Sequence, residues 1–332
     1  MSYPETIFRL RDVLRETLAP LLPHGEPYAL LDYPAYANVG DSAIWLGALR
    51  LLDESGAGEP AYTCTAKTYD ATALRQRVGT GPILVTGGGN FGDVYTSSQT
   101  LREQVVRDFP ENRILQLPQT IRYRREEALA ASRRTLEAHR DFTLLTRDEQ
   151  SLAIAREGLG VRSMLCPDLA FALAPLPRPE PQGHGIVWLL REDGEARTGR
   201  LGSDDGVEPV DWPSDPKRGV FAIQRRLRKR VARKPAKRAH LAGLMRRTFT
   251  PVARRRVQRG CAMLGAGRAV VTDRLHGHVL SLLMGIPHVV LDNSYGKNRR
   301  FYEAWTHDAP NARWCEGPAA SCLGLLDEVA PV

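Results

Sequence analysis

The chain has 332 residues, room for two domains of ordinary size, and its 42% hydrophobic and 25% charged residues lie near average usage, which excludes a disordered or fibrous protein. The formal charge of +8 is local, because residues 217–268 hold eighteen Lys and Arg and no Asp or Glu, leaving the remainder net acidic. No apolar run nears the roughly 20 residues needed to cross a bilayer, since the best one, Val279 to Leu291, is broken by Gly285 and Pro287.

The N-terminal stretch MSYPETIFRLRDVLRETLAP mixes Glu5, Arg9, Arg11, Asp12 and Glu16 with apolar residues, so it reads as an amphipathic helix without a signal-peptide core. From Tyr28 onward strand and helix alternate. YALLDY is a strand, and DSAIWLGALRLLDESG is a helix opened by Asp41 and closed at Gly56. PILVTGGG is a strand ending in Gly87, Gly88 and Gly89, followed by the helix SSQTLREQVVRDF. NRILQLPQTI and FTLLTR are strands flanking the helix RREEALAASRRTLEAH; DEQSLAIAREGLG is a helix, and RSMLCPDLAFAL supplies one more short strand. Such alternation predicts a parallel sheet covered by helices on both faces.

The proline-rich segment PLPRPEPQGHG, Pro175 to Gly185, predicts a boundary that divides the chain into 1–176, a linker 177–185, and 186–332. Beyond it GIVWLLRED and VEPVDWP read as strands. The basic run IQRRLRKRVARKPAKRAHLAGLMRRTFTPVARRRVQRG has apolar residues at helical spacing and is expected to break at Pro235 and Pro251. RAVVT, LHGHVLSLLMG and HVVLDN then form a strand, a helix ending at Gly285, and a strand. Residues 298–332 contain helical pieces expected to pack back on the first domain. The fold class is α/β: two Rossmann-like domains with parallel sheets facing a cleft.

Cys64, Cys166, Cys261, Cys315 and Cys322 include no C-x-x-C pair, so neither a zinc site nor a disulfide framework is signalled, and reduced thiols point to the cytoplasm. No compact His or carboxylate cluster appears, and no metal or cofactor is assigned.

The residues that carry chemistry lie where strands hand over to helices. Arg274 and His276 fall in the first turn of a helix, where free amides and the helix dipole favour phosphate or carboxylate. His276 and His278 are two apart and do not share a helical face, so at most one of them points at a ligand beside Arg274. With an ordinary pKa near 6.5, His276 suits proton transfer, and Lys297 follows the next strand. Arg147 ends FTLLTR, where a surface ion pair and a contact with an anionic substrate are both open readings; Arg191, ending GIVWLLR, is placed analogously. In ANVGDSA, Asn38 and Asp41 suit a turn and a helix cap, or the rim of a cleft that binds sugar hydroxyls. Gly88 and Gly89, with Asn90 after them, permit close approach of backbone to a ligand, although GGGNFGD is no dinucleotide fingerprint; Gln119 is less specific.

As a set these residues resemble the polysaccharide pyruvyl transferase family. DRLHGHVLSLLMGIPHVVLDNSYGK is similar to its C-terminal signature, and ANVGDSAI, VTGGGNFGD, LLTRDEQS and CPDLAF are similar to its other blocks in the same order, spanning roughly Tyr33 to Tyr302. The resemblance implies two Rossmann-like domains of the GT-B kind and phosphoenolpyruvate as donor. Pyruvate would be installed as a ketal on a saccharide acceptor, lipid-linked or free, with release of phosphate. By the same resemblance Arg274, Arg147, Leu275 and Lys297 bind the donor and His276 is the acid-base residue. For the basic segment 217–259 the readings are a solvated helical face or peripheral contact with an anionic membrane; nucleic acid is not expected, because aromatics are not interleaved for base stacking. A nucleotide-sugar glycosyltransferase of the same architecture and a non-catalytic basic binding protein are the competing functions.

Overall fold

The computed structural model describes residues 3–181, 183, 185–196, 207–233, 238–317 and 319–329. Their strands form two sheets that are parallel throughout. The first contains β1 (Ala29–Leu31), β2 (Tyr62–Thr63), β3 (Ile83–Val85), β4 (Gly88–Gly92), β5 (Ile114–Arg122), β6 (Phe142–Thr146) and β7 (Arg162–Leu165), in the order β2-β1-β3-β5-β6-β7 with β4 also on β5. The second contains β8 (Ile186–Leu189), β9 (Pro209–Val210), β10 (Ala269–Thr272), β11 (His288–Val290) and β12 (Ala312–Trp314), in the order β12-β11-β10-β8-β9. Strand β2 and helix α3 (Ala71–Val78) are absent from the sequence reading. Two residues of strand are too few to show a period, and α3 is announced only by Asp70, whose side chain accepts from the Ala73 amide.

Alternation along each strand sorts the core into layers. Leu30 and Leu84 join one cluster while their neighbours Ala29, Leu31, Ile83 and Val85 join another on the opposite face. The outer face of the first sheet is covered by α3, α4 (Thr96–Asp108) and α5 (Glu126–Leu136). The inner cluster is continuous between the sheets. It joins α1 (Tyr3–Leu18), α2 (Val39–Glu54), α8 (Arg238–Gly265) and α9 (Leu275–Leu283) to Leu115 and Leu145 of the first sheet and Leu189 and Val270 of the second. A shared apolar layer of this kind resists the relative motion expected of loosely joined units.

Two prolines that look like breakers are accommodated. Pro118 sits inside β5 where the register shifts between Gln116 and Gln119, so the strand bulges at the residue that has no amide to donate. The expected break at Pro251 does not occur: α8 continues through it. Phe249, Val252 and Ala253 are buried around that turn, and their packing outweighs the lost hydrogen bond. Pro235 lies outside the described residues. Within residues 298–332 the part that reaches the first half surrounds Trp305, which donates to the Arg147 carbonyl at 2.8 Å and whose own carbonyl accepts from Arg9. The helix α11 (Ala319–Val329) instead buries Cys322 and Leu326 against Leu291 and Cys315 of the second half.

Helix α8 is locked to the first half by aromatic packing. Phe249 stacks on Tyr33 at 3.9 Å and meets Trp45 edge-on, while the Tyr33 hydroxyl donates to the Phe249 carbonyl at 3.0 Å. Phe249→Ala should therefore lower the unfolding free energy by about 3–5 kcal/mol. Urea denaturation measures it, and a loss below about 1 kcal/mol would mean that this cluster does not hold the halves together.

Candidate active site

The carboxyl ends of both parallel sheets deliver side chains to one cavity of about 510 Å³. From the first half come Asn38 and Asp41 after β1, Gly89 and Asn90 in β4, and Arg147 after β6. From the second come Arg191 after β8, Asp211 after β9, Arg274, Leu275 and His276 after β10, and Lys297 after β11. Of the residues singled out in the sequence, Gly88 and Gln119 are not in the cavity wall. Gly88 faces Asp41 and Ile44 at the start of β4, where the pairing with β5 shifts register. Gln119 is fully buried beneath Asn90 and donates to its Oδ1 at 3.0 Å, so it orients a wall residue instead of meeting a ligand.

Four permanent cations line this cavity, and each is held by a carboxylate. Arg147, 1% exposed, pairs with Asp168 and donates to Thr120 Oγ1 at 3.1 Å. Arg274 pairs with Asp211 and lies 3.7 Å from Asp193. Arg191 grips both oxygens of Asp193 at 2.8 and 2.9 Å. Lys297 Nζ donates to Glu195 at 2.9 Å, and Tyr95 donates to the other oxygen of Glu195 at 2.7 Å. A surface arginine paired to its sequence neighbours, one reading of Arg147, is thereby excluded. Arg147 and Lys297 converge on Gly89, within 3.6 and 3.8 Å of where a Cβ would stand.

The carboxylates register this field. Burial alone would raise Asp168, but His276 and Arg147 hold it well below the usual range. Burial likewise works against Glu195, yet Lys297 and Arg191 pull it down to about 2.

Arg274 is the N-cap residue of α9 and its side chain caps no amide, and Leu275 and His276 of the first turn line the cavity. His276 lies in the first turn as expected, with Nε2 3.4 Å from Asp168 Oδ2. Its ring packs on Gly40 so closely that a Cβ there would come within 2.4 Å of Cγ and Nδ1. The glycine of ANVGDSA is thus required by a histidine in the other half of the chain. Asn38 serves as the cap of α2, accepting from the Asp41 amide at 3.1 Å, and also lines the cavity.

His278 points the other way and is fully buried. His288 Nδ1 lies 2.7 Å from the Ile286 carbonyl and must carry the proton; its Nε2 then accepts from His278 Nδ1 at 2.7 Å, and Thr306 Oγ1 meets His278 Nε2 at 2.8 Å. Burial lowers both imidazoles, and they stay neutral.

Sequence reasoning assigned no role to Asp168, Glu195, Asp193 or Asp211 and read Gly40 only as a turn residue. Asp168, inside the block CPDLAF, and Gly40, inside ANVGDSA, carried a visible signal. Asp211 and Glu195 are distant in sequence from Arg274 and Lys297, whereas Asp193 stands two residues from Arg191.

The sequence model of the family "Polysaccharide pyruvyl transferase" matches residues 38–295, and the chain belongs to this family of enzymes. It is 32% identical over 295 residues to Pyruvyl transferase 1 of Schizosaccharomyces pombe, covering 84% of this chain and 69% of that protein. A Bacillus subtilis protein named as a pyruvyl transferase, EpsO, is 29% identical over 308 residues, covering 89% of this chain and 90% of its own. In fold the chain is similar to a crystal structure of an uncharacterized Klebsiella pneumoniae protein, with a TM-score of 0.60 at 16% identity over 93% of this chain and 98% of that one.

Gly40→Ala should displace the His276 ring and cut turnover while the thermal midpoint stays within a few degrees; wild-type turnover in a folded variant would show that the contact is not needed. Because the folded state holds Glu195 near 2 against an ordinary 4.5, the stability it contributes is full above about pH 4.5 and is lost as pH falls toward 2. Glu195→Gln should flatten that acid limb in urea midpoints measured against pH, and superimposable limbs would contradict it.

Proposed function

We propose that the cavity binds phosphoenolpyruvate and that pyruvate is transferred to two hydroxyls of a saccharide acceptor as a ketal, with release of phosphate. One observation carries this reading: Arg147, Arg274 and Lys297, from both sheets, meet at a single cavity with the imidazole of His276. The donor is a small, highly charged anion with a planar carboxylate and a phosphate. Guanidinium forks match both groups with paired hydrogen bonds, and the uncapped amides at the start of α9 add neutral donors. The carboxylates of Asp193, Glu195 and Asp211 compete for the same cations. A ligand with several negative charges can displace them, whereas a weak monoanion cannot.

The enol-ether C2 becomes electrophilic only when C3 accepts a proton, and we assign that donation to His276. Asp168, 3.4 Å from the ring, stabilises the imidazolium before transfer. One acceptor hydroxyl adds to C2, and its proton restores His276. The second hydroxyl then displaces phosphate, and its proton leaves with the phosphate. The product is a methyl ketal, so atoms and charge balance without a further reagent or cofactor.

We read the two halves as Rossmann-like units of a GT-B arrangement, with the donor on the second and the acceptor on the first. There Asn38, Asp41 and Asn90 offer hydrogen bonds to sugar hydroxyls. Asn90 is well suited, being held from below by Gln119 and Arg102. The acceptor is a saccharide of an exopolysaccharide or its lipid-linked precursor, and the reaction belongs in the cytoplasm, where the donor is made.

Incubation with phosphoenolpyruvate and a glycan panel, read by phosphate release and by mass spectrometry for the ketal, tests the reading. His276→Ala should lose roughly 10²–10⁴-fold in ketal formation with an unchanged circular dichroism spectrum. A folded variant that turns over normally, or a wild type that consumes a nucleotide sugar instead, would overturn it.

A further inference from the structure

The basic run does not act as one surface. Some of its arginines face inward and clamp α8 and α7 (Gly219–Arg233) to the first half: Arg228 donates to the Ala35 carbonyl, Arg246 pairs with Glu59, and Arg256 pairs with Asp215 and donates to the Pro34 carbonyl. The others point to solvent. On α7 the exposed residues Ile223, Arg226, Arg230 and Arg233 fall at i, i+3, i+7 and i+10, one stripe of a helix. On α8 the exposed residues Leu244, Arg247, Arg254 and Arg255 fall at i, i+3, i+10 and i+11, again one side of a helix. None of these outward arginines makes an ion pair among the described residues, and Ile223 and Leu244 are 52% and 50% exposed.

We propose that this face docks on the surface of an anionic lipid bilayer. Three observations converge. An ordinary solvated helix intersperses Glu with Arg to gain pairs three and four residues apart, whereas Arg226, Lys229, Arg230 and Arg233 repel one another at those spacings, so their counter-charge must come from outside the chain. A bulky aliphatic residue stands exposed within each arginine stripe, which suits insertion below phosphate headgroups; a purely ionic polyanion offers it no apolar surface. The two helices also share a cavity of about 400 Å³ at the start of α7, where Arg218, Arg255 and Arg259 surround Phe221, a setting for a headgroup phosphate above an acyl chain. The lining residues Asp211 and Trp212 of the active-site cavity lead directly into this basic segment, so docking brings that cavity to the membrane, where a lipid-linked acceptor would lie.

Co-sedimentation of the full chain with vesicles tests this without any donor, so its outcome is separate from that of the transferase reading. Binding is expected to equimolar phosphatidylglycerol and phosphatidylcholine and not to phosphatidylcholine alone. The triple variant Arg226→Glu, Arg230→Glu, Arg247→Glu should bind at least roughly tenfold more weakly, and the double variant Ile223→Ser, Leu244→Ser should also weaken binding by roughly tenfold. Both should keep the wild-type thermal midpoint, since no inward contact is touched; if the triple variant unfolds, the double variant decides alone. A wild type that ignores anionic vesicles at low salt overturns the proposal. So does a serine variant that binds them undiminished while heparin is held as tightly, because the face would then be a site for soluble polyanions.

Discussion

Like charges gathered in one cavity must be compensated, and the pairing of four cations with four carboxylates is the constraint on which this molecule's site depends. Arg147, Arg191, Arg274 and Lys297 are delivered by four different strand ends, and Asp168, Asp193, Glu195 and Asp211 lie among them. Without these carboxylates the desolvated cations would drive the two halves apart. With them, the cavity holds a strong field in a charge-paired framework. Asp168 has a double part, because it meets both Arg147 and His276 and so couples a buried guanidinium of one half to the imidazole of the other.

That cavity needs the halves to be fixed relative to each other. The packing of α1, α2, α8 and α9 into one continuous core provides this, and it explains two features that local rules do not. Gly40 is set by His276, which occupies the space a side chain would take. Pro251 survives inside α8 because Phe249, stacked on Tyr33, and the buried Val252 and Ala253 hold the helix on either side of it. In both cases a residue near one sheet is dictated by a residue far away in sequence.

The arginines of the basic segment illustrate how one composition serves two purposes. Arg256 is 2% exposed and saturated by Asp215 and a backbone carbonyl, and it acts as a rivet. Arg254 and Arg255, which precede it, are exposed. Helical geometry turns successive residues by about 100°, so a run that is uniform in sequence becomes two different surfaces in space.

Much of this was legible before any coordinates. The alternation of strands and helices announced parallel sheets, because hydrophobic period and glycine stops are local properties. The placing of Arg274 and His276 at the start of a helix followed from where RAVVT ends, and the divergence of His276 from His278 followed from helical geometry alone. What the chain could not disclose locally was partnership. The carboxylates that hold Arg147, Arg274 and Lys297, the glycine that makes room for the imidazole, the inward or outward sense of each arginine and the continuous inner core all depend on residues brought together from remote positions. Charge pairing and close packing act through space over a few ångströms, so only the folded arrangement decides them.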